Sequence, residues 1–189
     1  MSVDITISYI LRLLLVFVFM RAVLHKLRSY SHFNAQLSSY RLLPDALLPA
    51  FSCFLILVEG FLAFSLLVRG WLYPSFIAAA VLALYAGAMS INLIQGRDDL
   101  DCGCSGPSEF GQRVSWALVV RNGVLAFFAL ATALPMTSRT LSMQDITTIV
   151  LASIAVIFIY ATIEQAIANQ DRQTQYFALK TKDHRGTVE

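Results

Sequence analysis

WLYPSFIAAAVLALYAGAMSINLI, residues 71–94, contains no charged side chain. A helix needs roughly 20 mostly apolar residues to cross the hydrocarbon core of a bilayer, and this run is long enough. Trp71 and Tyr73 stand at its start, where amphipathic aromatic side chains favour the headgroup region. The stretch therefore predicts a transmembrane helix over 71–94.

The composition extends this prediction to the whole chain. Hydrophobic residues make up 57% of the 189 residues and charged residues 14%, with a mean hydropathy of +0.66, whereas soluble domains have about 45–50% and about 25%. Four further apolar runs meet the same length requirement: 5–24, 46–68, 114–134 and 146–163. We therefore predict an all-α membrane protein, with a bundle of about five transmembrane helices over 1–168 and a polar tail over 169–189. The net charge of +2 suggests no nucleic-acid partner, and no cleaved signal peptide is expected because Arg12 interrupts the first run.

The distribution of basic residues predicts the orientation of the bundle. Five spans place the loops 24–45 and 95–113 and the tail on one side, and two basic residues, Arg69 and Arg139, on the other. The first side carries nine: Lys26, Arg28, Arg41, Arg97, Arg113, Arg172, Lys180, Lys182 and Arg185. The positive-inside rule then places the N-terminus outside and the first and third loops inside.

Three ionisable residues, Arg12, Glu59 and Arg121, fall well within the predicted spans, whereas Arg21 lies close enough to a span end to snorkel. Such residues usually face the bundle interior and have a partner. A rise of about 1.5 Å per residue puts Arg12 about 18 Å and Glu59 about 20 Å from the first-loop face, which predicts an Arg12–Glu59 ion pair. The three residues are thus a candidate buried polar cluster, which either fixes helix register or lines a cavity for a cofactor or substrate.

The loop between the third and fourth predicted spans holds Cys102-Gly103-Cys104. Gly103 permits the bend that would bring the two sulfurs to disulfide distance. Such a small ring would be strained, and strained, exposed disulfides tend to be the labile, catalytic ones. The pair is therefore a candidate redox site, although three nearby aspartates disfavour a thiolate. The alternative is two loop cysteines without chemistry.

The third cysteine and two histidines complete the list of candidate ligands and thiols. Cys53 lies about 10 Å below the same membrane face and is a candidate resolving thiol, although a lone cysteine in an apolar helix is more often a packing residue. The thiolates of the pair with His25 and His32 would provide a four-ligand metal set, but their spacing matches no zinc-site pattern. We therefore assign no metal site.

Several of these residues together resemble the MauE family of methylamine-utilisation membrane proteins, which is related to the DoxX-like group. The resemblance covers about residues 5–135. Its elements are Arg12-Leu-Leu-Leu-Val-Phe, Lys26, Phe33, Tyr40-Arg41-Leu42-Leu43-Pro44, Glu59, Asn92, Gly96-Arg97, Asp101-Cys102-Gly103-Cys104 and Arg121-Asn122. The chain departs from the family at Ser105, where members often have Phe. The resemblance implies a four-helix DoxX-like core plus a C-terminal helix.

The resemblance also implies a function. MauE proteins resemble accessory factors for maturation or transport of the disulfide-rich small subunit of methylamine dehydrogenase, in the bacterial inner membrane and near a thioredoxin-like redox protein. Thiol–disulfide exchange would fall to Cys102 and Cys104, and a membrane quinone near Arg121 or Glu59 is a candidate cofactor. The alternatives are a non-catalytic scaffold for maturation factors and a metal-binding membrane protein. A periplasmic substrate requires the cysteines outside, whereas the charge count places them inside.

Overall fold

The computed structural model describes residues 3–40, 44–68, 72–96, 114–135, 137 and 140–186. Six α-helices account for most of them, with a 3-10 turn at Asp45–Leu47 before the third. The helices are α1 Ile5–Arg28, α2 Tyr30–Ser39, α3 Leu48–Ser65, α4 Tyr73–Ile94, α5 Trp116–Ala131 and α6 Met143–Gly186. The prediction of an all-α membrane protein is confirmed, and the ends of α3 and α4 lie within about three residues of the predicted spans.

The outer surface of the bundle is apolar. The segments Ile5–Arg28, Asp45–Ser65, Tyr73–Ile94 and Met143–Thr174 are long and apolar enough to cross a membrane, and α5 is a shorter apolar helix. Large hydrophobic side chains such as Phe54, Leu57, Phe61 and Phe64 are exposed along one face of α3. Continuous exposed apolar surface is rare on soluble monomers. The chain is therefore a multi-pass membrane protein whose outer face contacts lipid.

Helix α1 is central to the packing. It contacts α3, α5 and α6, while α4 and α5 form the most extensive helix pair. The hydrophobic core between them contains Leu15, Phe19, Leu62, Ala78, Leu82, Leu125 and Ala129. Helix α6 packs along the outside of α1, and its 44 residues correspond to about 66 Å, roughly twice the hydrocarbon thickness.

Arg12 joins the C-terminal ends of two helices. Its guanidinium donates hydrogen bonds to the carbonyl oxygens of Leu66 and Val68 beyond α3, at 3.4 and 3.2 Å, and to that of Thr132 at the end of α5, at 3.2 Å. These carbonyls lack helical partners and carry the negative end of the helix dipole. Arg12 is buried, so its role in the structure is to satisfy these groups.

This arrangement shows that the predicted Arg12–Glu59 ion pair is wrong. Helix α1 continues past the predicted end at residue 24 to Arg28, so Lys26 lies level with Glu59. Arg12 lies about 21 Å further along the same helix, at about 1.5 Å per residue. Similar depth in the membrane did not make the two side chains neighbours.

The predicted first loop, 24–45, contains structure that hydropathy does not reveal. It comprises the last turn of α1, the break at Ser29 and the ten residues of α2. Helix α2 packs against α3 and α1. The orientation prediction counts Lys26 as a loop charge. In the structure Lys26 is instead a buried side chain inside the bundle.

The Cys102-Gly103-Cys104 segment lies outside the described residues, as do Arg41 and Arg69. Helix α4 ends at Ile94, and Gly96 two residues later has a φ of 71°, the left-handed conformation that glycine adopts readily just beyond a helix end. The description resumes at Val114, just before α5. The cysteines therefore belong to the segment that joins α4 to α5.

Candidate functional site: a buried polar cavity

Lys26, Glu59 and Tyr85 form a buried polar cluster between α1, α3 and α4. The Lys26 ammonium and the Tyr85 hydroxyl both donate to Oε1 of Glu59, and Lys26 Nζ lies 3.1 Å from the Tyr85 oxygen. Glu59 is fully buried, and the Lys26 side chain is 7% exposed. The rings of Phe33 and Tyr85 lie 5.1 and 5.0 Å from Nζ, within the range of a cation–π contact. The cluster thus satisfies a charge pair that would be costly in the membrane if either partner were absent.

A second cluster surrounds Glu164 on α6. Arg121 Nη1 of α5 and the Tyr160 hydroxyl each donate to Glu164 Oε1 at 2.7 Å. Arg21 of α1 donates to the other carboxylate oxygen. Two guanidinium groups therefore share one carboxylate, and these three side chains sum to one positive charge. The cluster also ties α6 to α1 and α5.

A cavity of about 390 Å³ separates the two clusters. Its walls come from the C-terminal half of α1, from α2, and from the parts of α3, α4, α5 and α6 at the same level. Most of the lining is apolar or aromatic, including Phe19, Phe33, Tyr40, Phe51, Tyr85 and Tyr160. Such cavities, with a few polar groups on apolar walls, are typical of small-molecule sites.

Glu59 and Asn122, two of the lining residues, each have a buried polar atom without a partner among the described residues. Oε2 of Glu59 and Nδ2 of Asn122 are buried and make no hydrogen bond with any residue that the structure describes. Both residues line the cavity. Buried polar groups are nearly always hydrogen-bonded, so an acceptor on α3 and a donor on α5 are available to an occupant.

An apolar groove of about 700 Å³ adjoins this cavity. It runs between α1 and α6 and is lined mainly by aliphatic and aromatic side chains, including Leu13, Phe17, Val150 and Ile157. Arg21 and His25 line both the groove and the cavity. The polar cavity therefore lies next to a lipid-accessible groove.

The structure brings together two of the three predicted cluster residues. Glu59 and Arg121 line the same cavity, although each has a different ionic partner. Arg12 does not line it. In the structure Lys26, not Arg12, is the ionic partner of Glu59, and Glu164 is the ionic partner of Arg121.

The candidate thiols and metal ligands have a different outcome. Cys53 is exposed on the outer face of α3 and lines neither the cavity nor the groove. Cys102 and Cys104 are outside the described residues. Within the described residues no three His, Cys, Asp or Glu side chains are grouped as metal ligands would be. The roles of the three cysteines stay predictions.

Sequence reasoning missed five residues of the two clusters, namely Arg21, Lys26, Tyr85, Tyr160 and Glu164. Lys26 is counted as a loop charge, and Glu164 follows directly after the last predicted span. One signal was available, because Arg121 inside the membrane needs a carboxylate partner. Nothing in the sequence distinguishes Tyr85 and Tyr160 from other aromatic residues in apolar helices.

Comparison with known proteins identifies the family. The sequence model of the family described as Methylamine utilisation protein MauE matches residues 5–135. Methylamine utilization protein MauE of Paracoccus denitrificans is 39% identical over 128 residues, covering 67% of this chain and 68% of the relative. The protein of the same name from Paracoccus versutus is 35% identical over 156 residues, covering 82% and 83%. The protein of that name from Methylophilus methylotrophus is 29% identical over 159 residues, covering 83% and 84%. No solved structure matches the chain. The chain therefore belongs to the MauE family of methylamine utilisation proteins.

Proposed function

We propose that this protein is an accessory factor of methylamine utilisation in the bacterial inner membrane, where it carries out thiol–disulfide exchange through Cys102 and Cys104. Its substrate is the small subunit of methylamine dehydrogenase during maturation or transport, and a thioredoxin-like protein is its redox partner. Membership of the MauE family supports the metabolic setting. The observation that carries the chemistry is the Cys-Gly-Cys pair in the segment joining α4 to α5, in a chain with one other cysteine.

The exchange proceeds in two steps. A thiolate of the pair attacks one sulfur of a partner disulfide, the partner S–S bond breaks, and a mixed disulfide forms while the released sulfur takes up a proton. The second cysteine of the pair then attacks the mixed disulfide. The pair becomes a disulfide and the partner a dithiol, so two electrons have moved to the partner. The reverse sequence oxidises the partner.

Support for this proposal comes from a polar cavity that is lined by the two helices on either side of the cysteine segment. The cavity is lined by the later part of α4 and the first part of α5, the two helices that the cysteine segment connects. Redox chemistry at a membrane protein needs ionic groups that stabilise the charge developing on the reacting pair. The ionic clusters at Glu59 and Glu164 supply such groups at this end of the bundle.

Cysteine variants test the proposal in cells that lack the native gene. We expect Cys102→Ser and Cys104→Ser each to abolish growth on methylamine and to leave the dehydrogenase small subunit incompletely disulfide-bonded. Cys53→Ser is the matched control, because this thiol lies on the outer face of α3, and it should behave like the unmodified protein. Normal growth of both loop variants, at normal protein levels, would exclude the exchange mechanism.

A non-catalytic scaffold is the second candidate. The length of α6 favours it, because a 44-residue helix of about 66 Å extends well beyond the bilayer. This alternative expects the cysteine variants to be tolerated. It also expects a chain shortened after residue 168 to insert normally but fail to support growth on methylamine.

A further inference from the structure

The polar cavity and the apolar groove together have the form of a site for an amphiphile. The cavity holds the polar groups, the groove is apolar, and Arg21 and His25 border both. A molecule with a compact polar head and a long apolar tail would fill both spaces at once. The groove adjoins α6, whose outer face carries exposed Val150, Leu151 and Ile154, so such a molecule could enter from the lipid.

The unsatisfied atoms define the head group. Asn122 Nδ2 can donate to a carbonyl oxygen, and Glu59 Oε2 can accept from a hydroxyl. They belong to different walls of the cavity, on α5 and α3. A ring that carries an oxygen on each of two opposite sides fits this pattern: the oxidised ring can accept from Asn122 Nδ2, and the reduced ring, whose oxygens are hydroxyls, can in addition donate to Glu59 Oε2. The aromatic side chains of the lining suit a flat ring.

The charge of the site favours a neutral, reducible head group. The mostly apolar and aromatic lining would desolvate a permanently charged phosphate head at high cost. The positive charge shared by Arg21, Arg121 and Glu164 would instead stabilise negative charge that develops on a ring oxygen when electrons arrive. We propose that the cavity binds the head group of a membrane quinone and that the groove holds its isoprenoid tail.

This inference deepens the proposed function, and only its redox role rests on that function. Two cysteine thiols can give up two electrons and two protons, which form the disulfide and convert the quinone to the quinol. Binding itself requires none of the cysteines. A Cys102→Ser/Cys104→Ser double variant should therefore bind quinone as the unmodified chain does, which separates failure of the binding proposal from failure of the exchange proposal.

Binding is measured with the full chain in lipid nanodiscs, against empty discs. The probes are decylubiquinone and the same quinone ring without a tail. Ala88→Phe fills the cavity from α4, and Ala83→Phe places the same ring on the exposed face of that helix. We expect Ala88→Phe to weaken binding of both probes by about tenfold or more, and Ala83→Phe to leave it unchanged. Absence of saturable binding to the unmodified chain would overturn the proposal.

A second pair of variants tests the groove without touching the buried clusters. Val150 lines the groove, so the larger side chain of Val150→Trp would block it. Leu151 is exposed on α6 outside the groove, so Leu151→Trp would leave the groove open. Val150→Trp should weaken binding of decylubiquinone but not of the tail-less ring, and Leu151→Trp should weaken neither. Equal effects of the two tryptophans would contradict a tail site. Lipid extracted from the purified protein should contain quinone at a fixed ratio to protein, and phospholipid alone would overturn the assignment.

Discussion

Lys26 and Glu59 form a buried ion pair that joins the last turns of α1 to the middle of α3. Tyr85 of α4 completes the pair by donating to the same carboxylate oxygen. Three helices are therefore fixed at one level of the bundle by a single carboxylate. The other oxygen of that carboxylate has no hydrogen-bond partner among the described residues, so a residue that lines the cavity has both a structural partner and an unused acceptor.

The first prediction concerns the stability of this pair. Glu59→Gln should destabilise the protein by about 3–5 kcal/mol, because it leaves the Lys26 ammonium buried without a counter-charge. The double variant Lys26→Met/Glu59→Gln should recover most of that loss, because no buried charge remains. Thermal unfolding of the purified protein in detergent measures both. A double variant no more stable than Glu59→Gln would contradict the pairing.

The second prediction ranks three changes around Glu164. Glu164→Gln should be the most harmful, by about 3–5 kcal/mol, because two guanidinium groups lose their carboxylate. Arg121→Met should cost less, since Arg21 still pairs with Glu164. Arg21→Met should cost least, because the side chain of Arg21 is 39% exposed whereas that of Arg121 is 10% exposed, so the Arg21 pair is the less buried of the two. The same unfolding measurement tests the order, and a larger effect of Arg21→Met than of Arg121→Met would refute it.

The third prediction separates Arg12 from the cavity. Arg12→Met should destabilise the protein by about 3 kcal/mol or more, because hydrogen bonds from a charged donor contribute about 1.5–3 kcal/mol each. Arg12→Lys should be intermediate, since an ammonium cannot reproduce the spread of the guanidinium donors. Neither change should alter decylubiquinone affinity in the protein that folds. If either variant lost decylubiquinone binding while its stability stayed normal, the assignment of Arg12 to a structural role outside the cavity would be wrong.

The sequence predicts the membrane spans well because the hydropathy of a segment depends only on the residues that it contains. The run 71–94 contains α4 at Tyr73–Ile94. Helix α2 could not be found in this way, because Tyr30–Ser39 is short and mostly polar. Lys26 was missed because a charged residue next to the end of a predicted span is assigned to the adjoining loop.

The pairing of buried charges needed information that the sequence does not contain. Depth along a helix follows from the rise per residue, but the face on which a side chain lies relative to its neighbour depends on the packing of the whole bundle. Glu59 and Arg121 were recognised as buried and polar, whereas their partners Lys26 and Glu164 were not. Cys102 and Cys104 were identified from their spacing, and their chemistry remains a prediction.

The most direct measurement of the central proposal is trapping of a mixed disulfide in living cells. Cells grown on a permissive carbon source and induced with methylamine express Cys102→Ser or Cys104→Ser, are quenched with acid, alkylated and resolved without reductant. We predict that one of the single variants accumulates an adduct that reductant dissolves and that contains a thioredoxin-like protein or the dehydrogenase small subunit. The Cys102→Ser/Cys104→Ser double variant should form none. If neither single variant forms an adduct and both support methylamine growth like the unmodified protein, thiol–disulfide exchange is not the function of this chain.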